Sequence, residues 1–196
     1  MPSEPASRRV KLISFREDCD GTAAVEFAMI GGLLTFLLMG VMQIGFYIYT
    51  AAALEYAVAQ ATRQVMTGSA SAGSMTADQF RSGVLCPLLP VSMSCARVIT
   101  NINTVAEAAS PGGFYQYVNS NASWIIPPAM DNTKTNFCTG AGGSVVYAQV
   151  YYAMPIYFPV LFKGVSGSWQ GNSAYFVGAF AAFRNEPFQA SSNGGC

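Results

Sequence analysis

Between Glu26 and Glu55 the chain carries no charged side chain, and Phe27 to Tyr49 ("FAMIGGLLTFLLMGVMQIGFYIY") is apolar almost throughout. A helix needs roughly 20 apolar residues to cross the hydrocarbon core of a bilayer. The run therefore predicts a membrane span over about residues 27–49. It is longer than the roughly 7–15 residues of a secretory signal core. Ala51-Ala52-Ala53 resembles a signal cleavage site, but the length favours a retained anchor. Arg8, Arg9, Lys11 and Arg16 precede the run and only Arg63 follows it closely. Basic residues stay on the cytoplasmic side, so the N-terminus is expected to be cytoplasmic and the rest exported.

The helical pattern outlasts the apolar run. Tyr47, Ala51, Leu54, Val58, Ala61 and Val65 recur at spacings of three and four, one face of a helix, with Glu55, Gln60, Arg63 and Gln64 on the remainder. From Thr22 to Thr67 such a helix is about 70 Å long. Its second half must dock on a head domain or on other helices. Gly68 is expected to end it, and "GSASAGS" reads as a linker. The predicted organisation is a cytoplasmic N-terminal segment at 1–21, the long helix at 22–67, a linker at 68–74 and an exported head at 75–196.

In the head, Thr76-Ala77-Asp78-Gln79 has the capping-box pattern and predicts a short helix to about Leu85. "ARVITNINTV", "SVVYAQVYYAM" and "SAYFVGAFAAFR" are strand candidates on their β-branched and aromatic content. Residues 106–143 hold many Gly, Asn, Ser and Pro and read as loops, with a short element near Tyr115. The fold class is therefore α+β: a long transmembrane and amphipathic helix, then a head with a short helix and an antiparallel sheet.

The chain has equal numbers of acidic and basic residues and no histidine. The balance offers nothing to a nucleic acid, and the commonest general base and metal ligand is missing. The head's acids, Asp78, Glu107, Asp131 and Glu186, are scattered, so no enzyme is expected, and neither a cofactor nor a metal site. Cys19 precedes the span. Cys86, Cys95, Cys138 and Cys196 follow it, an even set on a side that permits disulfides. Three connectivities are open to them, and free buried thiols are the alternative. Cys86–Cys95 and Cys138–Cys196 are the favoured pairs, one closing a short loop and one pinning the tail. "MPIYFPVLF", residues 154–162, is uncharged and interrupted by Pro155 and Pro159. Such a loop is either buried or exposed for contact. In the second case Ile156, Tyr157, Phe158, Leu161 and Phe162 form an interaction surface for the membrane or a neighbouring subunit. Ala24, Ala28 and Gly32 lie four apart, either a close-packing face for another helix or a lipid-facing stripe.

Glu26 at the lip of the span is the remaining anomaly. The helix dipole favours an acid near the N-terminus. An acid inside the membrane is costly and is normally functional, with a cation nearby. A chain cut after Gly21 would supply an ammonium group close by. "GTAAVEF", Gly21 to Phe27, resembles the prepilin peptidase site of type IV pilin-like proteins. The wider stretch "FREDCDGTAAVEFAMIGGLLTFLLMGVMQIGFYIYTAAALEYAVAQATRQVMTG" resembles the TadE-like family of tight-adherence (Flp) pilus assembly proteins, and "AFRNEPF", Ala182 to Phe188, resembles the end of that family's head. The resemblance implies that Gly21 is the last leader residue and Thr22 the first mature one. It makes Glu26 the glutamate of subunit registration and Phe27 its aromatic neighbour. It implies a minor pilin, or pseudopilin, in the inner membrane with a periplasmic head, acting in pilus biogenesis and surface adherence. Its partners would be prepilin peptidase, other pilin subunits and the assembly machinery. The alternatives are an uncleaved single-pass envelope protein whose head binds a partner or surface, and a head released after Ala53.

Overall fold

The computed structural model describes residues 21–72, 75–108, 112–121, 123–157 and 167–188. Helix α1 runs over Gly21–Met66. Two compact units divide within it, one ending at Val41 and the other starting at Met42. In the first, the helix exposes large apolar side chains such as Val25, Phe27, Ile30, Leu33, Leu34 and Leu37 on all sides. A helix apolar all round is stable only where its surroundings are apolar.

The second unit holds the rest of α1 and the head. Here the helix becomes one-sided: Leu54, Ala57, Val58, Ala61 and Val65 are buried, while Glu55, Tyr56, Arg63 and Gln64 face outward. The buried Thr50 and Thr62 hydroxyls donate to the carbonyls of Phe46 and Val58, four residues back, at 2.8 Å each. Buried hydroxyls are tolerated when bonded in this way.

The helix ends where expected. Gly68 has φ +79°, and its N–H donates to the Val65 carbonyl at 3.0 Å. A β-carbon there would lie 2.6–2.8 Å from ring atoms of Phe188. Gly68→Ala is therefore expected to destabilise the protein by at least ~1–2 kcal/mol through the backbone alone, and more through the displaced ring. A thermal melt of the full chain in detergent reads this, and an unchanged midpoint would refute it.

The expected linker is corrected in one respect. Ser69–Ala72 forms a helical turn, α2, rather than a featureless joint. Small residues resemble a linker in composition, but Ala70 is buried in the helix–sheet core, and the Met75 N–H donates to its carbonyl at 3.3 Å. The capping box then forms as its residues predict. The Gln79 N–H donates to the Thr76 hydroxyl, and the Thr76 N–H to the Gln79 side chain. Helix α3, Ala77–Phe80, continues as a wider helical turn to Leu85 and a tighter one to Leu88, burying Phe80, Val84 and Leu85.

Four strands follow: β1 (Val98–Val105), β2 (Val145–Pro155), β3 (Gly167–Trp169) and β4 (Asn172–Arg184). They form one antiparallel sheet in the order β1-β2-β4-β3. The Gln170-Gly171 turn joining β3 to β4 has positive φ at both residues, the geometry that suits the twist of a tight hairpin. One sheet face carries Val98, Ile102, Val146, Ala148, Val150, Val177 and Ala179 and packs on α1. The other carries Ile99, Tyr151, Ala153, Trp169 and Ala174. Beside them, Tyr147 meets the rings of Phe114 and Tyr117 at 5.0 Å, under the short helical segment Gly113–Tyr117. With both faces covered, β2 is buried from Val146 to Met154. A strand covered twice needs no polar alternation, and "VVYAQVYYAM" shows almost none.

Candidate functional site

Three places in the chain carry more chemistry than the fold requires. The first is the start of α1. Gly21, Thr22, Glu26 and Phe27 lie within its first two turns, and Phe27 is 79% exposed. The Glu26 carboxylate stands on a surface otherwise formed by Val25, Phe27, Met29 and Ile30, all exposed. Among the described residues it makes no ion pair. Ala24, Ala28 and Gly32 are exposed beside it. The whole helix is long and apolar enough to cross a membrane. This arrangement is consistent with a single-pass membrane protein whose acid lies near one membrane surface.

The second place is the C-terminal motif. The Arg184 Nε–H donates to the Gly143 carbonyl at 2.9 Å. Asn185 is buried, and its amide donates to the carbonyls of Thr139 at 2.7 Å and Ala141 at 3.1 Å. The Asn185 N–H donates to the Ser144 carbonyl, and the Glu186 N–H to the Met66 carbonyl, both at 2.9 Å. Phe188 closes on Gly68. The residues noted in "AFRNEPF" only as a resemblance thus clasp the end of α1 to the sheet and to the 139–144 turn. Residue type alone gives Asn185 no such role, because an asparagine after a strand usually marks an exposed turn.

The third place is the helix-side end of the sheet. Met154 is buried, Ile156 half-buried and Tyr157 61% exposed. Tyr157 meets Phe46 edge to face at 6.0 Å, and Tyr175 meets Tyr47 at 5.4 Å. Gln43, Ile44, Tyr47, Met154, Ile156 and Tyr175 enclose a cavity of about 70 Å³. Of the proposed contact loop, Ile156 is partly covered and Tyr157 is open. Phe158, Leu161 and Phe162 lie outside the described residues.

Cys86 and Cys95 form a disulfide with Cα atoms 5.5 Å apart. Cys138 is disulfide-bonded as well. Cys196, its expected partner, and Cys19 lie outside the described residues. Among the described residues no three His, Cys, Asp or Glu side chains come together in a metal-binding group.

A cleft of about 750 Å³ is lined by neutral polar groups, including Asn103, Gln116, Tyr117 and Asn136, with Lys134. Its floor is a bonded amide pair: Asn101 donates to Gln149 at 2.9 Å, and Gln149 to the Ile126 carbonyl at 3.2 Å. The Asn136 N–H donates to the Asn101 side chain at 3.0 Å. These bonds hold the 126–136 segment on the sheet. Burial pushes the Tyr151 hydroxyl up to about 12 and raises those of Tyr147 and Tyr117, so all three phenols are neutral at physiological pH. The Thr133 N–H, and next its hydroxyl, hold the exposed Asp131 carboxyl below its usual range. Asp131 is an anion facing Lys134 at 3.9 Å. None of these groups is poised to exchange protons near neutrality.

No curated protein and no solved structure matches this chain. Residues 21–63 match the family model described as TadE-like protein, the family that the N-terminal motif resembles.

Proposed function

We propose that this chain is a minor pilin-like component of a tight-adherence pilus assembly system. Prepilin peptidase would cut it between Gly21 and Thr22, and its helix would anchor a periplasmic head in the inner membrane. TadE-like proteins belong to pilus assembly, a structural rather than a catalytic task, and the family match falls on the anchor helix. The observation that carries the reading is Glu26, an acid on the first turns of a helix that is otherwise uncharged until Glu55. A membrane helix does not keep such a group without a cation to meet it. The ammonium group freed at Thr22, on the same or a neighbouring chain, is the natural one. The exported head, with its Cys86–Cys95 bridge, suits an oxidising compartment.

Intact mass spectrometry of the membrane-bound protein tests this reading. In cells with an active prepilin peptidase the mature chain is expected to begin at Thr22. A full-length chain there would overturn the processed-pilin reading and favour an uncleaved envelope protein.

A further inference from the structure

The end of the head beside α1 bears on where the membrane stops. We infer that Tyr157, with Tyr49 of the helix, sits in the headgroup layer of the bilayer. The hydrocarbon span then ends near Met42, not at Tyr49 as composition alone predicts. This rests on the reading of α1 as a membrane anchor and adds its register.

A helix segment inside hydrocarbon is surrounded by acyl chains. From Gln43 onward α1 is surrounded in part by protein: Gln43 is 4% exposed, and Met154, Ile156 and Tyr175 share a cavity with it. Strand β2 ends at this point, at Pro155, paired with Ala174 of β4. Open strand ends cannot lie in hydrocarbon, because their polar backbone groups would find no partner there. The hydrocarbon boundary must therefore fall before Gln43. Counting back, Thr22–Met42 spans about 30 Å as a helix, the full thickness of a bilayer core.

The outward face at this level has the chemistry of a headgroup layer. Ile48 and Tyr49 on the helix, and Tyr157 on the head, are half or more exposed. The Tyr157 ring is held against Phe46, so the head residue is fixed beside the helix. No charged residue occurs from Phe27 to Leu54 or from Ser144 to Phe162. Tyrosine, with an apolar ring and a polar tip, is enriched where membrane meets water. Ile44 and Ile48 on the helix at this level are also exposed, which commits the face to lipid. The register has a consequence at the other membrane surface. Glu26 lies about one helical turn inside the hydrocarbon edge, instead of just outside it.

Single tryptophans in the full chain, reconstituted in phosphatidylcholine vesicles brominated at shallow or deep acyl positions, test the assignment. Emission added over the wild-type background is read for Tyr157→Trp, Tyr49→Trp and Tyr115→Trp. Tyr115 lines a cavity with Val145 and Arg184, at the opposite sheet end, and serves as the control. The added emission of Tyr157→Trp and Tyr49→Trp is expected to shift to the blue and to be lost to shallow bromine more than to deep, with Tyr115→Trp unaffected. Quenching of Tyr49→Trp alone would overturn the inference, because the head would then stand clear of the bilayer. Deep bromine quenching Tyr49→Trp most strongly would also overturn it, by returning the span to 27–49. A blue-shifted but unquenched Tyr157→Trp would overturn it in favour of a protein neighbour on this face. Wild-type protein that fails to float with the vesicles would remove the anchor reading itself, a result distinct from the others.

Discussion

Replacing Glu26 with alanine is expected to abolish pilus assembly while leaving the protein in the membrane. The two effects separate because they depend on different free energies. An acidic side chain costs roughly 2.5–3.5 kcal/mol at the bilayer centre on insertion scales, and less toward the edge. Its removal therefore improves partition, and alanine is also the better helix former. What is lost is attraction to a cation, which in a low-dielectric setting depends on full charge and close approach. Glu26→Gln keeps the size and the hydrogen-bonding capacity but not the charge, and is expected to fail as alanine does. Flotation of membranes reads insertion, and the yield of sheared surface pili reads assembly. If either variant supports wild-type piliation, Glu26 is only a helix-terminus residue and the charge argument is wrong.

What was legible in the sequence divides along physical lines. Features set by residues close in sequence could be read: the apolar run, the docking face of Leu54, Val58, Ala61 and Val65, the Thr76–Gln79 capping box, and strands β1, β2 and β4. Each depends on periodicity, or on a side chain reaching its own backbone. The tertiary features could not be read in this way. Gln43 looks like a polar residue tolerated in a span, and only the sheet end beside it shows that the helix is already covered there. Asn101 and Gln149 look like solvent-facing strand positions, yet they pair under the 126–136 segment. Strand β3 is three residues long, and its turn uses Gln-Gly instead of the strong Asn-Gly signal, so nothing local marked it. The candidate site divided in the same way. Gly21, Thr22, Glu26 and Phe27 form a contiguous motif. Asn185 clasps groups more than forty residues away, which no local pattern announces.

Ala57→Glu is expected to unfold the junction between helix and sheet. Ala57 is 0% exposed and lies in the core that Leu54, Val58 and Ala61 share with the sheet. A methyl group there lets the helix lie close to the strands, and four further heavy atoms have no free volume to enter. Overpacking alone typically costs 1–3 kcal/mol. The carboxylate must also leave water, and no cation lies within the core to receive it, since the helix's only arginine, Arg63, faces outward. An unpaired buried charge adds several kcal/mol or takes up a proton at comparable cost. The sum is comparable to the whole stability of an ordinary domain, about 5–15 kcal/mol. Ala59→Glu is the matched control: the same substitution two residues on, at an exposed position on the opposite side of the helix. It is expected to stay within about 0.5 kcal/mol of wild type, as most surface changes do. Thermal melts of the full chain in detergent, read by near-ultraviolet circular dichroism, compare the two, and limited proteolysis locates the damage. Ala57→Glu should lose its cooperative transition and become cleavable between α1 and β1, while Ala59→Glu melts as wild type does. If the two variants melt alike, the second half of the helix is not docked on the sheet. The one-face pattern that runs through Leu54, Val58, Ala61 and Val65 would then have to serve contact with another subunit.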